Sequence, residues 1–196
     1  LNDEWSLKGR HNLSSGTFMG ANANGCMCDE VVVEDHQCVV IPDNMSYGAA
    51  SLLEPVAVGF HAINRSGVNY QNSVAIYGCG PVGLCLLLSL KKIGVTEIYC
   101  VDPIESRQET AIGFGATEFV DSPPKCDVVF DVCGTNESLD SCIRTCGAGS
   151  KLVMIGIPET DTLTINPHLL RIREVDFINV RRSDRTLIPA LNLFRD

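Results

Sequence analysis

The chain has 196 residues, of which 45% are hydrophobic and 20% charged, and its formal net charge is −9. This composition is typical of a folded domain with a substantial core and excludes a disordered chain. The negative charge disfavours nucleic acid as a partner; the five arginines between Arg171 and Arg185 are interpreted as a solvated face. No stretch approaches the roughly 18 apolar residues of a membrane helix. The first fifteen residues lack the apolar core of a signal peptide, so a cytoplasmic protein is expected.

The ten cysteines are expected to be reduced thiols, because no export signal is visible and thiols stay reduced inside cells. The pairs Cys26/Cys28 and Cys142/Cys146 could each place two sulfurs on one side of an element. Neither has a second pair at zinc-site spacing, so burial is favoured over metal binding. The cysteines in apolar stretches are expected to act as small hydrophobic residues: Cys79, Cys85, Cys100, Cys126 and Cys133.

The chain contains two segments with different sequence patterns. Residues 1–45 contain turn-forming residues and then a strand-like run, CDEVVVEDHQCVVIP, at residues 28–42. From about Ser46 onward, apolar runs of strand length alternate with helix-length stretches, which predicts an α/β fold with a doubly wound parallel sheet. In chain order these runs are SVAIYG (73–78), PVGLCLLLSLKKIG (81–94), EIYCVD (97–102), ESRQETAIGFGA (105–116), TEFVD (117–121), CDVVFDVCG (126–134), SLDSCIRTCGAG (138–149), KLVMIGI (151–157) and VDFINV (175–180).

A G-x-G-x-x-G motif stands between the first predicted strand and its helix. Gly78 permits a tight turn, Gly80 lets backbone approach a pyrophosphate, and Gly83 lets helix and strand pack closely. Nineteen residues after Gly83, Asp102 ends the next strand, where a carboxylate can accept hydrogen bonds from both ribose hydroxyls and repel a 2′-phosphate. The pattern therefore predicts NAD in preference to NADP. Arg107 leaves an alternative, because its guanidinium could pair with a phosphate.

The connection between the third and fourth predicted strands is unusually short. In a sheet of order 3-2-1-4-5-6, the chain must travel about 21 Å from the third strand to the start of the fourth. Residues 121–125 reach at most about that distance when fully extended, with nothing left to climb over the sheet. We therefore expect residues 117–121 to form a stub of a strand or none, and Pro123-Pro124 to run extended. Apolar surface is expected to be exposed around Val128 and Phe130.

Several segments together resemble the medium-chain dehydrogenase/reductase family, in particular its zinc-dependent polyol branch. The resemblance rests on LLEPVAVGFHA (52–62), GCGPVG (78–83), VDP followed by Arg107, FDVCG (130–134), VMIG (153–156) and REVDFINVRR (173–182). It implies a Rossmann domain at residues 46–196, preceded by a remnant of a β-rich GroES-like catalytic domain at residues 1–45. It also implies hydride transfer between a secondary alcohol, such as a polyol or sugar acid, and NAD, with zinc polarising the oxygen.

The resemblance also implies site residues. Glu54 matches a carboxylate at the edge of the metal, although the residues alone favour its interpretation as an acid at the start of a helix beside a proline. Arg182 matches a substrate-side arginine, with Arg181 and Ser183 in place of its aromatic neighbours. His61 could serve a proton relay or be a core histidine. The residues matching the cofactor site are Gly78, Gly80, Pro81, Val82, Gly83, Asp102, Arg107, Val132, Cys133, Gly134, Ile155 and Gly156.

Other elements of the family pattern are absent from the sequence. Residues 1–53 offer no cysteine and His-Glu pair for a catalytic zinc, and Ser14 stands where the last cysteine of a structural zinc lobe would be. The chain is therefore expected to be the cofactor half of a dehydrogenase, inactive by itself. A non-catalytic dinucleotide-binding protein and a zinc-free reductase remain alternatives, and a homo-oligomer is left open. The expected partner is a small alcohol or polyol, with neither nucleic acid nor membrane.

Overall fold

A computed structural model describes residues 3–193 of the chain. The strands are β1 (Val74–Tyr77), β2 (Ile98–Val101), β3 (Glu118–Phe119), β4 (Cys126–Asp131), β5 (Cys146–Met154) and β6 (Asp176–Asn179). The α-helices are α1 (Glu4–Leu7), α2 (Tyr47–Ser51), α3 (Leu53–Ser66), α4 (Pro81–Lys92), α5 (Gln108–Gly113), α6 (Asn136–Thr145), α7 (Pro167–Ile172) and α8 (Leu187–Leu193). Short 3₁₀ turns cover His11–Leu13, Asp35–Gln37 and Glu105–Arg107.

All six strands belong to one parallel sheet in the order β3-β2-β1-β4-β5-β6. The predicted doubly wound sheet and its strand order are therefore confirmed. The central strand β1 is buried along its whole length, because helices cover both of its faces. Since every strand runs in the same direction, the loops that follow the strands meet at one edge of the sheet. That edge carries most of the residues named from the sequence.

Two apolar layers hold the sheet between its helices. On one face, residues of α3 and α4 such as Ile63 and Leu86 pack with Ile76 and Phe130 of the strands. On the other face, Leu139 and Ile143 of α6 pack on Val129. The residues at the helix starts determine where these helices begin. Helix α4 begins with Pro81, and the missing N–H of proline costs no hydrogen bond in the first turn of a helix. Thr135 and Ser138 form a capping box on α6.

The strand predicted within residues 28–42 is wrong. The structure places a 3₁₀ turn at Asp35–Gln37 there and no strand in residues 28–42. Val32 is 98% exposed and Val40 is 90% exposed. A β-branched run becomes a strand only when a neighbouring strand pairs with its backbone, and none of the described residues does so here. The division into a catalytic remnant at 1–45 and a Rossmann domain at 46–196 stays a prediction.

The short connection before β4 has the predicted effect on β3 but not on the core. β3 is a two-residue stub that pairs with β2, as expected. Val128 and Phe130, however, are buried, because they face α3 and α4 rather than the side from which a crossover helix is missing. On that opposite side, Tyr99 and Val101 of β2 are only partly buried. The prediction of exposed apolar surface around Val128 and Phe130 is therefore wrong. Residues 123–125 lie outside helices and strands.

Two further expectations need correction. The helix predicted over residues 138–149 ends at Thr145, and β5 begins at Cys146. The ten cysteines are all free thiols; Cys79, Cys85, Cys100 and Cys126 are buried, but Cys133 is exposed because it lies in a loop after β4. Between residues 3 and 193, no helix combines the length and the apolar character that a membrane crossing requires.

Candidate functional site

The carboxyl edge of the sheet gathers the residues that the glycine motif predicted. Gly78–Gly83 follow β1, Asp102 follows β2, Val132–Gly134 follow β4, and Ile155-Gly156 follow β5. In open parallel sheets, ligands bind outside the carboxyl ends of the strands, where the strand order reverses. The reversal here lies between β1 and β4, directly at the glycine turn. The edge is therefore the candidate site.

The glycines of the turn are required by its geometry. Gly78 has φ of 101°, and a Cβ there would lie 2.7 Å from Cys133 Sγ. A Cβ at Gly83 would lie 1.9 Å from the carbonyl oxygen of Gly78, a contact with backbone that no rotamer relieves. The first turn of α4, which begins at Pro81 and Val82, presents N–H groups without intrahelical acceptors. The N-terminus of a helix with free N–H groups is a suitable place for an anionic group such as a pyrophosphate.

Asp102 lies under the glycine turn with both carboxylate oxygens engaged. Oδ2 accepts hydrogen bonds from Cys79 N at 2.7 Å and from Arg107 Nη1 at 2.7 Å, and Oδ1 accepts one from Ile104 N at 2.9 Å. The side chain is 1% exposed. Burial opposes the charge of this carboxyl, but the hydrogen bonds from Ile104, Cys79 and Arg107 outweigh it and lower the pKa of Asp102. Asp102 is therefore a buried carboxylate at neutral pH.

Arg107 lies beside both Asp102 and the glycine turn. Its Nη1 lies 4.0 Å from the position of a Cβ on Gly80, so the guanidinium stands over the turn as well as on Asp102. The guanidinium is more exposed than its partner, with 38% of the side chain accessible. A ribose that bound Asp102 would have to displace this contact.

Asp131, at the end of β4, is a site residue that the sequence reading missed. Its Oδ1 accepts hydrogen bonds from Cys133 N at 3.0 Å, Gly134 N at 3.1 Å and Ser138 Oγ at 2.9 Å. Its Oδ2 is buried and has no partner among the described residues. An acidic residue inside the apolar run CDVVFDV was the available signal, because a buried carboxylate needs dedicated donors. Asp131 fixes the loop that begins at Val132.

The loops after β4 and β5 touch through their backbones. A Cβ on Gly156 would lie 2.4 Å from Gly134 N, and Gly134 has φ of 77°. The backbone N–H groups of Ile155 and Gly156 donate to the Asp131 carbonyl oxygen at 2.8 and 3.0 Å. These contacts form one wall beside the glycine turn. Cys133 donates its thiol hydrogen to the Tyr77 carbonyl oxygen at 3.4 Å. Although the residue as a whole is exposed, its sulfur is partly enclosed at this contact, and the resulting desolvation raises the pKa of Cys133 to about 11.

A second cavity brings together Glu54 and Arg182, which are 128 residues apart in sequence. Its volume is about 310 Å³, and the segment around Phe18 completes its lining. The guanidinium of Arg182 lies 3.8 Å from the centroid of the Phe18 ring, and Arg182 has φ of 57°. Because Arg182 follows the carboxyl end of β6, the cavity belongs to the same edge as the glycine turn. The aromatic partner absent beside Arg182 in sequence is supplied by Phe18.

His61 is a buried residue of α3, consistent with the core interpretation. Asn12 Nδ2 lies 3.4 Å from His61 Nε2 and donates to the Arg181 carbonyl oxygen at 3.1 Å. Burial is the main cause of the lowered pKa of His61, which nearby Asp184 opposes. The imidazole is therefore neutral at pH 7, and Asn12 connects α3 to the chain that follows β6. Among the described residues, no hydrogen bond joins His61 to Glu54.

The described donor set does not fit a catalytic zinc ion. Across residues 3–193 no group of three histidine, cysteine or acidic side chains is placed to hold a metal ion. Zinc in a catalytic site takes three protein ligands, whereas Glu54 stands in its cavity with His11 as the one further donor of that kind. Ser14, at the position where the family pattern has a cysteine, donates its hydroxyl to Asp3 Oδ2 at 2.5 Å.

This sheet edge, with its glycine turn and buried carboxylate, defines a dinucleotide-binding fold of the Rossmann type. The family model for zinc-binding dehydrogenases matches residues 81–195, more than half of the chain, and the chain belongs to that family. It is 28% identical over 95% of its length to L-idonate 5-dehydrogenase from Vitis vinifera, and 30% identical over 97% to sorbitol dehydrogenase from Bos taurus. It spans 56% and 58% of these two relatives.

A solved structure confirms the fold. A zinc-binding dehydrogenase from Sinorhizobium meliloti, bound to NADP, superposes with a TM-score of 0.91 over 98% of this chain and 61% of its own. Its sequence identity is 24%. The fold class and the family expected from the sequence are therefore confirmed.

Proposed function

We propose that the chain is the cofactor-binding part of an NAD-dependent dehydrogenase that oxidises a secondary alcohol, a polyol or a sugar acid, or reduces the corresponding ketone. The observation that carries this proposal is the charged, buried Asp102 held under the glycine turn by Cys79 N. The relatives named as sorbitol and L-idonate dehydrogenases support the substrate class. The free cysteines agree with a reducing compartment, so we place the protein in the cytoplasm.

In this proposal each segment of the edge has a separate task. The turn Gly78–Gly83 and the start of α4 bind the pyrophosphate through N–H groups and the helix dipole. Asp102 accepts hydrogen bonds from the adenosine ribose after Arg107 moves aside. The wall formed by residues 132–134 and 155–156 orients the nicotinamide and excludes water from it. The nicotinamide, when bound, supplies the chemistry by accepting or donating a hydride.

NAD is proposed over NADP because of the charge at Asp102. A 2′-phosphate would stand beside a carboxylate whose pKa is lowered by its donors, and the two negative charges would repel each other. Arg107 could offset part of that repulsion, since its guanidinium is already next to Asp102. The preference therefore depends on the balance between these two side chains, which can be measured by changing each in turn.

The cavity of Glu54 and Arg182 is proposed as the substrate side of the site. Arg182 contributes a positive charge and hydrogen-bond donors for substrate hydroxyl or carboxylate groups. Its orientation is held by the Phe18 ring, a cation–π contact of about 0.5–1 kcal/mol at a partly exposed position. Glu54 provides an acceptor in the same cavity. The metal role of Glu54 is not proposed for this chain, because the described residues do not complete a ligand set.

The proposal is tested by titrating the chain with NADH and NADPH and following nicotinamide fluorescence. NADH is expected to bind at least tenfold more tightly. Replacing Asp102 with Asn should weaken NADH binding by about 10- to 100-fold, because a charge-assisted hydrogen bond contributes about 1.5–3 kcal/mol. Arg107→Ala should leave the NADH preference in place and weaken NADPH. Equal affinities of the unmodified chain for both cofactors would contradict the proposal.

A non-catalytic dinucleotide-binding protein is the second candidate. It is favoured by the finding that residues 3–193 hold no cluster of metal-binding side chains. Both candidates predict NADH binding, so that titration does not separate them. Assaying polyol oxidation by a longer chain that includes the residues preceding Leu1 in the gene does: turnover supports the dehydrogenase, and binding without turnover supports the second candidate. Homo-oligomerisation remains open.

A further inference from the structure

Asp131 is the last residue of β4 and lies directly beside the glycine turn. In the register of the strands it is paired with Tyr77 at the end of β1 and with Met154 at the end of β5. The glycine turn follows Tyr77 in the chain, and the loop of Ile155-Gly156 follows Met154. Asp131 therefore lies between the segment that the proposed function assigns to the pyrophosphate and a segment that it assigns to the nicotinamide.

The side chain and the backbone of Asp131 bind the two loops of the wall beside the glycine turn. Its Oδ1 accepts hydrogen bonds from the backbone N–H groups of Cys133 at 3.0 Å and Gly134 at 3.1 Å. Its carbonyl oxygen accepts hydrogen bonds from the backbone N–H groups of Ile155 at 2.8 Å and Gly156 at 3.0 Å. One residue therefore binds two N–H groups in each of the two loops.

The two loops are also in backbone contact, so a displacement of one moves the other. A Cβ on Gly156 would lie 2.4 Å from Gly134 N and 2.6 Å from the carbonyl carbon of Cys133. Gly134 has φ of 77°, a left-handed conformation that glycine adopts far more readily than other residues. Because Asp131 Oδ1 binds Gly134 in this conformation, the Asp131 side chain sets the position of both loops.

The other carboxylate oxygen indicates that Asp131 serves more than stability. The residue is fully buried, and Oδ2 has no hydrogen-bond partner among residues 3–193. A buried carboxylate oxygen without a partner decreases the free energy of unfolding, because it has lost its hydration. Natural proteins retain such costs at functional sites, which favours a role for Asp131 in the loops that Oδ1 binds.

We propose that Asp131 is a positioning residue for the nicotinamide end of the dinucleotide, an inference that rests on the proposed function. Its Oδ1 holds residues 132–134, and through them Gly156, in the arrangement that receives the nicotinamide. Asp131 acts through these loops, because its side chain is buried and its Oδ1 and carbonyl oxygen are already engaged. The side chain thus determines how well the wall fits the ring.

The glycine turn is held by other hydrogen bonds. Gly78 N donates to the Val101 carbonyl oxygen at 2.8 Å, and Cys79 N donates to Asp102 Oδ2 at 2.7 Å. These two bonds join the turn to β2 and to the residue that follows it, on the side away from β4. Loss of the Asp131 acceptor should therefore weaken a ligand that carries nicotinamide and spare a ligand that has only the adenosine, the pyrophosphate and the second ribose.

The experiment measures binding of NADH and of ADP-ribose to the full chain by isothermal titration calorimetry. ADP-ribose lacks the nicotinamide, so the ratio of the two affinities reports the nicotinamide end alone. We expect the unmodified chain to bind NADH at least tenfold more tightly than ADP-ribose. Asp131→Ala should weaken NADH binding at least fivefold and ADP-ribose binding less than twofold. Asp131→Asn, whose amide oxygen can accept the same N–H groups, should keep the ratio within threefold of that of the unmodified chain.

Two further variants separate positioning from stability. Asp127→Asn changes the other acid of β4, which is exposed and accepts hydrogen bonds from Ser73 N and Ser73 Oγ at the opposite end of the strand. It should alter neither affinity. Asp131→Ser, whose shorter side chain cannot reach all the donors of Oδ1, replaces Asp131→Ala in the comparison if the alanine variant does not fold. Circular dichroism checks the fold of each variant.

The two ligands also distinguish the ways in which the inference can fail. Equal weakening of NADH and ADP-ribose by Asp131→Ala would overturn it in favour of a purely structural role, and unchanged binding of both would overturn it as well. Equal affinities of the unmodified chain for the two ligands would show that the wall does not hold the nicotinamide. These results leave dinucleotide binding in place, whereas an unmodified chain that binds neither ligand overturns the proposed function and this inference with it.

Discussion

The sheet and the segment before it use apolar residues in opposite ways. In residues 74–156 the apolar runs become strands whose side chains are mostly buried, with Phe130 and Ile76 fully enclosed. In residues 28–42 a run that is also rich in valine forms no strand, and Val32 is almost completely exposed. A β-branched run therefore forms a strand only where neighbouring strands and helices supply partners. The predictions below test this contrast, beginning with the largest expected effect.

The first prediction compares one buried and one exposed side chain. Phe130→Ala should lower the free energy of unfolding by about 3–5 kcal/mol, because it leaves a cavity between the sheet and α3. Val32→Ala should change it by less than about 0.5 kcal/mol, since a surface substitution removes few contacts. Urea unfolding followed by circular dichroism measures both. A similar loss in the two variants would show that residues 28–42 belong to the core.

The second prediction compares two helical glycines, one in the first turn of α4 and one at the end of α5. Gly83→Ala should destabilise the chain by about 3 kcal/mol and abolish NADH binding, because its Cβ meets the Gly78 carbonyl oxygen. Gly113→Ala, at the end of α5, meets no atom within 4 Å and should be neutral or stabilising by up to about 1 kcal/mol. Thermal unfolding and NADH titration of both variants check this. Retained NADH binding by Gly83→Ala would contradict the proposed turn geometry.

The third prediction compares a buried and an exposed histidine through the pH dependence of stability. Burial lowers the pKa of His61 in the folded chain from its ordinary 6.5, so the unfolded chain binds a proton first as pH falls. This contribution to stability is fully present above pH 6.5 and is lost progressively below it. The unfolding free energy measured between pH 7.5 and 5.5 should decrease. The decrease should shrink in His61→Asn and persist in the control His36→Gln, whose side chain is exposed.

The smallest expected effect is that of metal removal. Because residues 3–193 offer no cluster of three metal-binding side chains, EDTA should shift the melting temperature by less than about 1 °C. The purified chain should hold well under one equivalent of zinc by elemental analysis. Stoichiometric zinc, or a large loss of stability in EDTA, would show that a ligand set exists outside the groups identified above.

The glycine turn and the position of Asp102 beside it were predictable because their sequence signals are local. Glycines at fixed spacing, an acid at the end of the next strand and alternating apolar runs are dictated by backbone geometry within one βαβ unit. Asp131 was missed because its role depends on donors from a loop and from α6, which become neighbours of the strand only in the fold. Cys133 was misjudged for a similar reason, since an apolar neighbourhood in sequence does not bury a residue in a loop.

The parallel sheet, its strand order, the glycine turn and the stub at β3 were all predicted correctly without the structure, because they follow from periodicity, steric limits and the reach of five linking residues. Tertiary structure alone decided which sheet face lost its helix and that Phe18 stacks on Arg182. It alone also decided that Arg107 covers the carboxylate of Asp102. These outcomes depend on contacts between side chains that are far apart in sequence, and such contacts cannot be inferred from a local sequence pattern.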